Sequence, residues 1–183
     1  MKKMIIDRRA VTKLALTSGV SAVAAMAAAS AIAPTFGSTV GDKAKNNKAA
    51  MKRIIEAYNA GADKKVWEKL LSPKVVNHTA IVPDWAKGVE NWVTEQNYIR
   101  SVWPDFKFVA EDMIAEGDWV IVRGTSSGTM KADFGQAFPA TGKPGSFTNW
   151  LTWRFEGGKG IDRWGLADWF GYMVQQGFWP PKK

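Results

Sequence analysis

Asp168 closes the run Ile161-Asp162-Arg163-Trp164-Gly165-Leu166-Ala167-Asp168, near the C-terminal end of the chain. In an extended strand alternate side chains share a face, so Asp162, Trp164, Leu166 and Asp168 point one way, and that way is expected to be inward. A carboxylate held against an apolar wall has a raised pKa and can shuttle protons. Asp168 is therefore the expected general base, removing a proton alpha to a carbonyl. The competing reading makes it the N-cap of a helix starting at Trp169.

Two further residues suit the same chemistry. His78, the one histidine, is a candidate partner acid or base, a role for which histidine is the usual side chain. Alternatively it forms a structural link to Asp105 or to a backbone carbonyl. Arg123 lies between Val122 and Gly124 in an apolar strand. A buried arginine requires a carboxylate, here Asp105, Asp112 or Asp168, or else it clamps an oxyanion or substrate. Tyr98 and Asn149 are candidate hydrogen bonders to a ligand. Trp164 and Trp103 are candidate apolar contacts, although Trp92, Trp103, Trp150 and Trp153 also suit a core. A lone histidine and no cysteine argue against a multi-histidine or thiolate metal site, and no metal is expected.

These residues need elements to hold them. Met51, Ile54, Ile55 and Tyr58 recur at helical spacing and predict a helix over about 43–60. Its lysines read as a solvated face. Asp63 caps a short second helix carrying Val66, Trp67, Leu70 and Leu71, which Ser72-Pro73 breaks. Val75 to His78 is a short strand, and Ile81 to Lys87 a loop. A third helix begins at Gly88, with Trp92, Gln96, Ile99 and Trp103 on one stripe, and stops at Pro104.

Strands follow. Phe106 to Ile114 alternates, and Glu116-Gly117-Asp118 turns the chain. Trp119 to Met130 is a long strand, Lys131 to Pro144 a loop. Two more strands flank Gly157-Gly158-Lys159-Gly160. That glycine-rich segment lacks the following helix and the Lys-Ser/Thr ending of a phosphate loop, so a hairpin turn is expected. Helices first and long strands second indicate an α+β domain: a cone-shaped, curved antiparallel sheet packed around N-terminal helices. Such a cone leaves a cavity.

The 183 residues suffice for one domain and an appendage. The formal charge of +8 overstates the basicity of the domain. Setting aside the five basic residues and one acid of the first 37 leaves 20 basic and 16 acidic residues, a net of +4. Nucleic acid is not an expected partner.

Those first 37 residues read as an export signal peptide. Lys2, Lys3, Arg8, Arg9 and Lys13 precede an apolar run from Leu14 to Ala33, and Ala29-Ser30-Ala31 offers a cleavage site. Asp7-Arg8-Arg9-Ala10-Val11-Thr12-Lys13 resembles the twin-arginine signal, with Val11 and Thr12 departing from it. Sec export remains an alternative, as does a leader retained as the one membrane attachment. The expected location is periplasmic or secreted. Residues 38–47 are expected to be a flexible link, 48–179 a single domain, and 180–183 a tail.

From about Lys48 to Gly177 the chain resembles the SnoaL-like polyketide cyclases of the nuclear-transport-factor-2-like superfamily. The resemblance rests on Val76-Asn77-His78 before Gly88-Val89-Glu90, on Trp103-Pro104-Asp105-Phe106, and on Ala115-Glu116-Gly117-Asp118-Trp119-Val120. It continues through Gly124-Thr125, Gly128-Thr129, Pro139-Ala140-Thr141-Gly142-Lys143, Arg154 to Lys159, Trp164 to Asp168, and Gln176-Gly177. It implies an aldol-type cyclase, lyase or isomerase without a cofactor, in which Asp168 is the acid/base. It also implies a small hydrophobic carbonyl substrate and a homodimer pairing sheet to sheet. A non-catalytic binding module of the cell envelope is the alternative, favoured if Asp168 faces solvent.

Overall fold

The computed structural model describes residues 36–180. The expected leader, apart from its last two residues, lies outside them. Helix α1 (Phe36–Ala60) buries Met51, Ile54 and Tyr58 on the predicted stripe. It starts earlier than expected. The supposed link 38–47 is helical, and its end is pinned to the sheet: Asn47 is buried and its Nδ2 donates to the Gly117 carbonyl at 2.9 Å. Lys43 pairs with Asp118 at 2.6 Å beside it. Small polar residues carry no helix stripe, so only these tertiary contacts reveal the extension.

Helix α2 (Lys64–Leu70) is capped by Asp63, which accepts from the Val66 N–H at 3.0 Å, as predicted. Strand β1 (Leu71–Asn77) follows directly. A 3-10 turn (Pro83–Trp85) leads to α3 (Val89–Val102), entered through Gly88 at φ 87°. Strands β2 (Lys107–Glu116), β3 (Trp119–Thr129), β4 (Pro144–Glu156) and β5 (Lys159–Ala167) precede the short α4 (Trp169–Gln176). Gly157 and Gly158, both at positive φ, make the expected hairpin turn between β4 and β5.

The five strands form one sheet in the order β1-β5-β4-β3-β2. The antiparallel expectation holds for β2 to β5, whereas β1 joins the edge parallel to β5. A register shift between Ala110 and Asp112 reverses the alternation of β2. Phe108 faces inward before it. Ile114, expected to share that face, is 67% exposed after it.

The inner face carries the core. Tyr58, Trp67, Trp92 and Trp153 meet edge to face, with successive ring centroids 5.4, 5.5 and 5.2 Å apart. Such pairs add about 0.5–1.5 kcal/mol each beyond burial. Val102, Trp103, Met130 and Tyr172 form a second cluster under α4. Between the two clusters the packing opens.

Candidate active site

A cavity of about 130 Å³ lies between the inner sheet face and the helices. It is comparable in size to engineered protein cavities of about 150 Å³ that admit benzene. Part of its lining is polar: Tyr58 of α1, Asn77 at the end of β1 and Thr79 just after it, Glu95 of α3 and Arg163 of β5. Part is apolar: Ile99, Trp103, Phe106, Phe147 and Trp169.

Each polar side chain arrives by a traceable route. On α3, Trp92, Glu95 and Ile99 stand three and four residues apart and share a face. Trp92 fills the core and Glu95 is carried in behind it, 3% exposed. On β5, the inward residues are Arg163, Gly165 and Ala167. The two small residues leave the space, and Arg163 projects along it. Asn77 ends β1, where its parallel partner in the ladder is Arg163 itself.

Asn77 joins acid to base. Its Nδ2 donates to Glu95 Oε2 at 2.7 Å, and its Oδ1 accepts from Arg163 Nη1 at 3.1 Å. Arg163 Nη1 also donates to Thr79 Oγ1 at 2.7 Å. The Ile81 N–H donates to Glu95 Oε1 at 3.4 Å. Burial pushes the Glu95 carboxyl above its ordinary range, against the opposing charge of Arg163 and the bonds from Asn77 and Ile81. Burial likewise raises the Tyr58 phenol, which remains a proton donor throughout the physiological range.

Of the seven residues expected from sequence, two reach the cavity. Asn149 lines it, with Nδ2 donating to Ser126 Oγ at 3.1 Å. Trp103 lines it too, but its indole N–H is committed to the Tyr172 hydroxyl at 2.6 Å.

The other five lie elsewhere. Asp168 is exposed and caps α4, accepting from the Gly171 N–H at 2.9 Å. That is the capping alternative, and the carboxylate is spent on the helix end. Trp164 lies on the outer sheet face, stacked on His78 at 4.2 Å with 2° between the planes. His78 Nε2 bonds Asp162 Oδ1 at 2.9 Å, rather than Asp105. Asp162 also accepts from Arg154 Nε at 2.9 Å. Burial opposes ionisation of Asp162, yet bonds from His78 and Arg154 hold it below the usual carboxylate range. Arg123 is not buried: on the outer face it pairs with Asp112 at 2.5 Å and with Glu111. The Tyr98 hydroxyl accepts from the Gly135 N–H at 2.8 Å, outside the cavity lining.

The assignment of β5 to the wrong face has a simple cause. Alternation defines two faces and does not say which one is inside. Trp164 and Leu166 are the bulkier apolar set and were expected inward. A cavity instead requires the small set, Gly165 and Ala167. Glu95 was missed because an acid interrupts the apolar stripe Trp92-Ile99. That interruption is itself the available signal.

A SnoaL-like polyketide cyclase model matches residues 48–176. The chain belongs to this family. Membership suggests a cofactor-independent cyclase or isomerase, and the family binds small hydrophobic substrates. Among solved structures, IdmH of Streptomyces antibioticus, provisionally assigned as a polyketide cyclase, is 25% identical with a TM-score of 0.62. The match covers 72% of this chain and 98% of that one. TsrD of Streptomyces laurentii is 24% identical with a TM-score of 0.64, covering 73% and 96%. AclR of Streptomyces galilaeus, provisionally assigned as a hydroxylase, is 23% identical with a TM-score of 0.62, covering 75% and 99%. No curated protein matches. Neighbours on one family fold thus carry different assignments, and the reaction has to be argued from the site.

Proposed function

We propose that the protein is a cofactor-independent acid/base enzyme acting on a small hydrophobic carbonyl compound, with Glu95 as its proton carrier. The reading rests on one observation: a carboxyl 3% exposed, in the wall of an otherwise mostly apolar cavity. A base whose pKa is raised toward neutrality is matched to removing a proton alpha to a carbonyl. In an aldol-type closure, ionised Glu95 takes the alpha proton and an enolate forms. The enolate carbon attacks a second carbonyl, and the Glu95 carboxylic acid returns its proton to the new alkoxide. The Tyr58 phenol is the natural donor to the developing oxyanion.

The test needs no native substrate. Deuterium incorporation alpha to the carbonyl of acetophenone in heavy water is followed by NMR. The wild type is expected to accelerate it, Glu95→Gln to abolish that acceleration, and Asp168→Asn to retain it. No acceleration by the wild type, or full acceleration by Glu95→Gln, overturns the assignment.

A binding module is the second reading. It is favoured by the exposure of Asp168 and by the engagement of both Glu95 oxygens within the protein. A co-purified small molecule seen by native mass spectrometry, together with absent exchange, supports it.

We also propose a homodimer across the outer sheet face. Trp119, Ile121, Trp150 and Leu166 are exposed there together, an apolar surface of the kind that marks interfaces. Leu166→Arg is expected to shift the sedimentation mass to that of one chain; an unchanged mass refutes this face. Export is inferred from the basic and apolar N-terminal pattern alone. A mature envelope protein still carrying residues 1–30 refutes cleavage.

A further inference from the structure

Arg163 holds a charge that no carboxylate among the described residues pairs. The acceptors of its Nη1, Asn77 Oδ1 and Thr79 Oγ1, are neutral. Among the described residues no carboxylate forms an ion pair with it, whereas on the outer face Arg123 has two such partners and Arg154 one. Its Nε is buried with no partner. Arg163 is half-buried, and a guanidinium drawn partly out of water favours an anion as its partner.

The nearest acid in the hydrogen-bond network, Glu95, is kept from supplying that anion. Asn77 stands between them, giving its amide N–H to the carboxyl and its carbonyl to the guanidinium. A direct pair would ionise Glu95 and neutralise Arg163 together. The insertion keeps one group a proton carrier and the other a cation.

The guanidinium is also seated. A Cβ built on Gly165 would stand 2.4 Å from Nη2 and 2.7 Å from Cζ. Only glycine lets the group lie against the strand there. The same cavity is lined by Ile99, Trp103, Phe106, Phe147 and Trp169. The site therefore offers both a cation and an aromatic wall.

We propose that the ligand is an organic acid, its carboxylate drawn to Arg163 and its apolar body lying among the aromatic side chains. This rests on the proposed function only for the choice of cavity, and it narrows the substrate to a carbonyl compound that also carries a carboxylate.

Calorimetric titration of the full chain with phenylacetate and its neutral isostere phenylacetamide tests it. The wild type is expected to bind the acid about tenfold or more tightly than the amide, as one charge-assisted contact of about 1.4 kcal/mol gives. Arg163→Gln is expected to lose that preference while still binding the amide, and Arg163→Lys to restore part of it. If Arg163→Gln does not fold, Gly165→Ala displaces the guanidinium without removing it, and the same loss of preference is expected. Equal affinity of the wild type for acid and amide overturns the proposal. So does a preference that survives in Arg163→Gln, or in Gly165→Ala where that variant stands in.

Failure of the enzyme reading is separable. An Arg163-dependent preference without deuterium exchange supports the organic-acid assignment and rejects catalysis. Exchange of neutral acetophenone without an acid preference does the reverse.

Discussion

The two faces of the sheet divide the polar groups of β5 between them, and they use them differently. Outward, Asp162 takes bonds from both His78 and Arg154, and Trp164 stacks on His78. That network is closed: each charge has a partner. Inward, Arg163 and Glu95 are held apart by one asparagine, and among the described residues neither has an ion-pair partner. The outer face is rich in the residue types that suggest catalysis, yet it is the inner face that leaves proton-carrying capacity unspent. An inventory of residue types therefore misleads where a record of partners does not.

The contrast has consequences of graded size. The largest is kinetic. Glu95→Gln is expected to lower turnover by on the order of 100- to 10,000-fold, the range of a general acid/base. Asp168→Asn leaves it unchanged, both being read by alpha-proton exchange. Equal effects would erase the distinction between the faces.

Next comes steric tolerance along one strand. Gly165→Ala puts a methyl where the guanidinium lies and turns that flexible side chain aside, so it is expected to destabilise by about 1 kcal/mol in urea denaturation through the hydrogen bonds lost to Asn77 and Thr79. Its neighbour Leu166, 73% exposed on the other face, is expected to tolerate alanine within about 0.5 kcal/mol.

The faces should also answer oppositely to pH. The Glu95 carboxyl is raised, so its contribution is complete below the unfolded value near 4.5 and is lost as pH rises through the folded value above it. The Asp162 carboxyl is depressed, so its contribution is complete above the unfolded value near 3.8 and is lost as pH falls through the folded value below it. Denaturation midpoints across pH should therefore flatten on the alkaline side of 4.5 in Glu95→Gln and on the acid side of 3.8 in Asp162→Asn. The last effect is at the cap. Asp168→Ala is expected to cost about 1 kcal/mol, and Asp168→Asn almost nothing, because asparagine caps equally well.

Local structure was legible because its causes are local. Asp63 announces α2, Gly88 and Pro104 bracket α3, and Gly157-Gly158 dictates a hairpin turn. The extension of α1 was not legible, since Asn47 and Lys43 reveal themselves only by contacts to Gly117 and Asp118. Of the cavity, Asn149 and Trp103 were anticipated. Glu95, Arg163, Asn77 and Tyr58 were not, because each acquires its meaning from partners distant in the chain. Asn77 and Glu95 lie 18 residues apart, Asn77 and Arg163 86.

Periodicity, capping and turn residues are properties of neighbouring residues, and they were enough to specify an α+β chain of this family with its strands in order. Which face of each strand turned inward was settled elsewhere, by the bulge in β2, the parallel docking of β1 on β5, and the small residues Gly165 and Ala167. The desolvation that raises the Glu95 carboxyl, and the placing of Arg163 against neutral acceptors, arise only when α3, β1 and β5 close around one space. No linear pattern encodes that exclusion of water, because it belongs to the assembled walls.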